Sequence, residues 1–150
     1  MLRDASLIPL SHQHHNGLAL CVMTRRSLQA DSSPQNLAKL AKRVADRYEL
    51  ELLNHFEIEE QVLFPACGAM PLIAELIAEL IAEHRALEGL VARIRTEPSP
   101  SLLEEFCALL SSHIRREERE FFEIIQRTLP RETLDAAGAE IDRRAVRICL

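Results

Sequence analysis

Leu72-Ile-Ala-Glu-Leu-Ile-Ala-Glu-Leu-Ile-Ala-Glu83 carries the same four residues three times over. A polar residue at every fourth position follows the helical period and not the two-residue period of a strand. Glu75, Glu79 and Glu83 therefore share one stripe, expected to be solvated, while Ile73, Leu76, Ile77 and Leu80 form a face to be buried. Two glutamates interrupt the apolar run from Pro71 to Ala82, which falls short of the roughly 20 residues that span a bilayer. Breakers bound the segment on both sides: Pro65 to Pro71 with Gly68 between, and Glu97-Pro-Ser-Pro100. Others stand at Asp31-Ser-Ser-Pro34 and at Pro130. Ser33 and Ser99 each precede a proline, the pattern of an N-cap followed by a first helical residue that needs no N–H. The spacing predicts helices over about 10–29, 34–64, 71–95 and 100–128, with a shorter one over about 131–147. Each has one apolar face, as in Leu37, Leu40, Ala41, Val44 and Tyr48 of the second. Short connectors then specify an all-α fold, an up-down-up-down antiparallel four-helix bundle over about residues 8–128 plus a short extra C-terminal helix.

Composition agrees. With 150 residues, 47% of them hydrophobic and only four glycines, the chain has the material for one core and too few turn residues for a barrel or sandwich. A formal charge of -5, from 18 Lys and Arg against 23 Asp and Glu, argues against a nucleic-acid partner. The N-terminal stretch Met1-Leu-Arg-Asp-Ala-Ser-Leu-Ile-Pro-Leu10 lacks the unbroken apolar run of a secretory signal, so the expectation is one domain over residues 1–150, unexported and cytoplasmic, with no membrane partner. Cys21, Cys67, Cys107 and Cys149 show no C-x-x-C spacing and read as reduced core thiols.

Extending the apolar stripes exposes an anomaly. On the second helix Val44, Tyr48 and Leu52 lead into His55 and Glu59. On the third Ile73, Ile77 and Leu80 lead into His84, with Leu87, Glu88 and Val91 beyond. On the fourth Leu103, Phe106 and Leu110 lead into His113 and Glu117. Three core stripes turn polar midway, and a buried carboxylate must be protonated, paired or bound to a metal. The segments His55-Phe-Glu-Ile-Glu59-Glu60-Gln-Val-Leu-Phe64 and His113-Ile-Arg-Arg-Glu117-Glu118-Arg-Glu-Phe-Phe122 share H-x-x-x-E-E-x-x-x-F, and His15-Asn-Gly-Leu18 and His84-Arg-Ala-Leu87 share H-x-x-L. A His and a Glu four residues apart project side by side from one helix face, so two such helices facing each other can hold two ions. Imidazole and carboxylate without thiolate suits iron, manganese or zinc.

These residues resemble the hemerythrin-like domains, the HHE cation-binding family. The resemblance covers about residues 8 to 128 and rests on His15 of H-H-N-G-L, His55 and Glu59 of H-F-E-I-E-E-Q-V-L-F-P, His84 of E-H-R-A-L, and His113 and Glu117 of H-I-R-R-E-E-R. It implies two iron ions in a non-haem centre, with Glu59 and Glu117 bridging them and the histidines as terminal ligands; zinc or manganese are substitutes. On the first helix His12, His14 and His15 all compete, and the H-x-x-L match selects His15. Oxygen-carrying hemerythrins have a second histidine one turn after the third-helix one, where this chain has Glu88. As a ligand Glu88 would add negative charge, favour the ferric state and disfavour reversible O2 release.

Other groups read as structural. Tyr48 is expected in the core with its hydroxyl at an edge, Glu60 and Glu118 turn about 100° from the ligand glutamates towards solvent or a neighbouring helix, and Arg115, Arg116 and Arg119 form surface pairs. Binding or sensing of a small diatomic ligand, O2 or NO, or of iron is preferred to catalysis, with a di-iron oxidase or iron-oxidising enzyme as the competing reading. The E-x-x-H signature of ferritin-type oxidases is absent from the sequence. The C-terminal helix, Glu132 to Ile148, is placed to cover the bundle or to meet a partner in a homodimer.

Overall fold

A computed structural model describes residues 2–148. Among the described residues there is no strand, and no helix is long and apolar enough to cross a membrane. A 3-10 turn at Ala5–Leu7 leads into α1 (Ile8–Ala30). The second helix, α2, runs over 34–66; α3 is Pro71–Thr96; α4 runs over 100–128; α5 is Arg131–Arg144. The starts follow the capping chemistry: the Ser33 hydroxyl accepts from the Asn36 N–H and the Ser99 hydroxyl from the Leu102 N–H, with Pro34 and Pro100 next in line. Each such cap contributes about 1 kcal/mol. Between α2 and α3 the chain turns at Gly68, whose φ of 63° an L side chain resists. The last helix stops three residues earlier than its sequence suggests: residues 145–148 leave it as a non-helical tail.

Three stretches widen to the π form: Tyr48–Leu52 and Glu59–Leu63 within α2, and Glu117–Phe121 within α4. In the latter two the N–H of Phe64 or Phe122 reaches back five residues to the carbonyl of Glu59 or Glu117. Both widened turns thus open on the glutamate of the repeated motif, in keeping with the frequent placement of such insertions at functional sites.

Helix α1 packs on α2 and α4, and α3 does the same, giving a helical bundle in which each long helix has two neighbours. Helix α5 lies across the N-terminal turn and the end of α2. The apolar interior is split. One cluster holds Leu20, Val44, Phe56, Leu87, Phe106 and Leu110; the other holds Leu7, Leu10, Leu63, Leu80, Phe121 and Ile141. All four long helices pass from one cluster to the other, and each crosses through a polar layer.

Candidate metal centre

That layer contains six ionisable side chains. His14 comes from α1, His55 and Glu59 from α2, His84 from α3, and His113 and Glu117 from α4, and none is more than 3% exposed. On α1 the buried residues include Leu10, His14, Gly17, Cys21 and Thr24, a stripe at helical spacing that puts His14 in line with the core. Gly17 matters here: a methyl group at its Cα would stand 3.0 Å from Ile114 Cδ1, so the bare backbone lets α1 approach α4.

Every imidazole points Nε2 inward. His55 Nε2 lies 2.5 Å from Glu59 Oε1, His113 Nε2 2.5 Å from Glu117 Oε1, and His84 Nε2 3.0 Å from Glu59 Oε2. His14 Nε2 is 3.7 Å from Glu117 Oε1 and 4.0 Å from Glu59 Oε1. None of these approaches has hydrogen-bond geometry: all four Nε2 atoms and all four carboxylate oxygens are buried without a hydrogen-bond partner. Leaving a buried donor or acceptor unmet costs about 1–3 kcal/mol each, so a cluster of eight points to a missing common partner.

The atoms fall into two sets of four, His14, His55, Glu59, Glu117 and Glu59, His84, His113, Glu117, each set with its donor atoms within 4.8 Å of one another. Donors about 2.0–2.2 Å from one ion stand up to about 4.4 Å apart, close to the span of each set, so each is a candidate cation site. The donors are imidazole and carboxylate, the chemistry of iron, manganese or zinc.

The outer nitrogens are all held. Nδ1 of His14 donates to Glu118 Oε2 at 2.6 Å, that of His84 to Glu60 Oε2 at 2.7 Å, and that of His113 to Glu83 Oε1 at 2.8 Å. Each carboxylate is itself backed by a guanidinium: Arg3 on Glu118, Arg85 on Glu60 and Arg116 on Glu83. His55 differs, its Nδ1 meeting the amide oxygen of Gln13 at 2.9 Å. Such partners fix ring orientation and leave the Nε2 lone pair free for a cation. Rings close the layer off: Phe56 stacks on His84 at 4.0 Å between centroids and Phe122 on His14 at 5.4 Å.

Without a cation the charges divide unequally. Burial and the neighbouring Glu117 push the Glu59 carboxyl well above its usual range. Burial raises Glu117 too, but His113 at its side overrides this and holds it well below. Burial lowers His113, but Glu117 and Glu83 outweigh it and bring its pKa to about 9, whereas burial and the charge of His113 drop His84 to about 4.

Two expected ligands are elsewhere. His15 is exposed, on the far side of α1, and the adjacent His14 takes the inward place; His12 is exposed as well. The H-x-x-L match misled because Leu18 is only partly buried, while the stripe that faces the core passes through Leu10 and Cys21. Glu88 is also off the centre: its side chain is 56% exposed and pairs with Arg85 at 3.2 Å. Four outer partners escaped sequence reading. Glu60 and Glu118 do turn to a neighbouring helix, there to hold a histidine, and the doubled E-E in both motifs was the signal available. Glu83 belongs to a stripe expected to be solvated; Glu75 and Glu79 are exposed, but Glu83 reaches His113. Gln13 carried no signal beyond lying next to His14. Tyr48 is buried with its ring edge to Phe56 at 6.4 Å, and it lines a cavity of about 380 Å³ with Glu60, His84, Arg85 and Glu88. Cys21, Cys67 and Cys107 are buried free thiols; Cys149 lies outside the described residues.

The family model for the hemerythrin HHE cation binding domain matches residues 7–125. Comparison with curated proteins and with solved structures gives no match.

Proposed function

Because the chain belongs to the hemerythrin HHE cation-binding domain family, we propose that its polar layer is a non-haem di-iron centre that binds or senses O2, NO or iron. The observation that carries this is the overlap of the two donor sets: both contain Glu59 and Glu117, so two cations would share both carboxylates as bridges. His14 and His55 would hold one ion, His84 and His113 the other. The surrounding fold is read as an up-down-up-down antiparallel bundle. In its support, α1 and α3 run from the Leu10 and Leu80 cluster towards the Leu20 and Leu87 cluster, and α2 and α4 run back.

Bound iron would supply coordination positions beyond the four protein donors in each set, open to a small diatomic ligand. The chain's own part is to aim four imidazoles inward by Nε2, with His113 giving up its proton as a cation binds, to offer two carboxylates, and to exclude water with Phe56, Phe64, Phe121 and Phe122. Since Glu88 stands in solvent, the extra negative charge expected from it does not reach the centre, and the objection to reversible oxygen binding built on it falls away. The cavity beside Tyr48 and His84 is what favours the second reading, a di-iron oxidase, because it offers room for an organic substrate next to the centre. Metal analysis with an ultraviolet-visible spectrum on protein made in iron-replete cells tests the proposal. Two irons per chain with oxo-bridge charge-transfer bands are expected; one ion per chain or none would overturn it. Turnover of peroxide or of ferrous iron would move the assignment to the oxidase.

A further inference from the structure

Three of the four inward histidines are backed by carboxylates, and a carboxylate can only accept. Its partner Nδ1 must therefore carry a proton, so that in the neutral ring the lone pair lies on Nε2 and is directed at the centre. His55 has no such guarantee. Its partner Gln13 is an amide with an acceptor at one end and a donor at the other, and turned over it would donate to Nδ1, move the ring proton to Nε2 and aim an N–H where a cation should sit.

What decides which end faces His55 is the tail after α5. The backbone N–H of Val146 donates to Asn54 Oδ1 at 3.0 Å, and Asn54 Nδ2 donates to the Arg144 carbonyl at 3.0 Å, so the Asn54 amide is set by main-chain groups that cannot reverse. Asn54 Oδ1 and the Val146 carbonyl then both accept from Gln13 Nε2, at 2.9 and 3.1 Å. With its nitrogen occupied twice, Gln13 presents oxygen to His55. A further clasp, Asn16 Nδ2 to the Ile148 carbonyl at 3.4 Å, holds the end of the same tail. The tail is otherwise loosely seated: Val146 is 40% exposed, and a cavity of about 230 Å³ lies between the tail and α1.

The geometry points to residues 145–148 as a strap that locks the ligating tautomer of His55 through Asn54 and Gln13, so that docking of the strap governs the cation position formed by His14 and His55 and leaves that of His84 and His113 untouched. Gln13 and Asn54 are positioning residues in this scheme. It rests on the paired-ion reading above, and the test separates the two.

Chelator-treated protein is titrated with zinc, a cation without redox chemistry, by calorimetry, and the tautomer of His55 is read from 15N shifts of the zinc-free protein. The intact chain should take two zinc ions with His55 protonated on Nδ1. A chain ending at Arg143, which lacks the Arg144 carbonyl as well as both Val146 groups, should keep one ion at unchanged affinity, bind the second about 10-fold to 100-fold more weakly, and show His55 as a tautomer mixture. Gln13→Glu in the shortened chain should restore both, since a carboxylate has no wrong end. If the shortened chain does not fold, Asn54→Leu in the full chain should produce the same tautomer mixture and the same selective weakening. Unchanged affinity and a single tautomer without the strap, or failure of Gln13→Glu to restore the second ion in a folded chain, overturns the strap. Fewer than two ions on the intact chain instead overturns the paired centre.

Discussion

Replacing Glu59 by methionine should have opposite effects on the protein with and without its cations. Both Glu59 oxygens are buried at 0% exposure without a hydrogen-bond partner, and with cations stripped away the carboxyl is driven towards its neutral form by burial and by Glu117. An apolar chain of similar shape removes two orphaned acceptors at about 1–3 kcal/mol each, less a packing mismatch of up to about 1.5 kcal/mol, so the cation-free variant should gain about 2 kcal/mol. For a chain of this length that is a rise of about 4–8 °C in melting temperature. The loaded wild type, in contrast, gains about 4 kcal/mol per ion when free metal is 1,000 times the Kd, and the variant, lacking a carboxylate common to both donor sets, forfeits most of it. Melting curves of both proteins in chelator and in excess ferrous iron under anaerobic conditions should therefore cross over: the variant above wild type without metal, below it with metal. A variant that melts lower by the same amount in both conditions would refute the idea that these oxygens are kept for a cation.

Glu60→Gln should weaken metal binding about 10-fold to 100-fold by loosening His84, while Glu88→Ala should leave it unchanged; equal effects in a metal titration would put Glu88 back among the ligands. His113 must shed a proton to bind a cation, and its pKa is about 9 because Glu117 and Glu83 outweigh burial. Below that value the proton competes, so affinity should rise with pH up to about 9, and calorimetry in buffers of different ionisation enthalpy should show proton release at pH 7. Gly138→Ala should destabilise by about 1–3 kcal/mol, since its methyl would fall 2.5 Å from Ser6 Cβ and 2.8 Å from Ser6 Cα where α5 crosses the N-terminal turn. Gly89→Ala, in a helix with nothing within 4 Å, should stabilise by about 0.5–1 kcal/mol; thermal denaturation checks both.

The helices were legible because breakers and period agree: Ser33-Pro34 and Ser99-Pro100 are caps in the structure as in the sequence. The polar layer was legible for a related reason. A His or Glu in line with Leu52, Leu80 or Leu110 contradicts the stripe it continues, and the structure buries His55, Glu59, His84, His113 and Glu117 alike. The same rule would have chosen His14, four residues after Leu10 and seven before Cys21, had the stripe on α1 been extended from its buried members and not from a local match to Leu18. Two features lay beyond a one-helix reading. The π turns at Glu59 and Glu117 shift the phase of the residues C-terminal to them, and a fixed 100° step cannot anticipate that shift. Outer partners such as Glu83 and Gln13 are defined by which helix stands opposite, information that periodicity within one helix does not contain. Glu88 shows the converse: spacing alone put it one turn from His84, but it faces solvent, where Arg85 takes it.

Anomalous diffraction at the iron edge, on crystals of protein loaded anaerobically with ferrous iron, addresses the centre itself. Two peaks are expected, one about 2.0–2.3 Å from Nε2 of His14 and His55, the other at the same distance from Nε2 of His84 and His113, each also in reach of an oxygen of Glu59 and of Glu117. A lone peak, or peaks at surface carboxylates with the space between the four imidazoles empty of iron, would contradict the account.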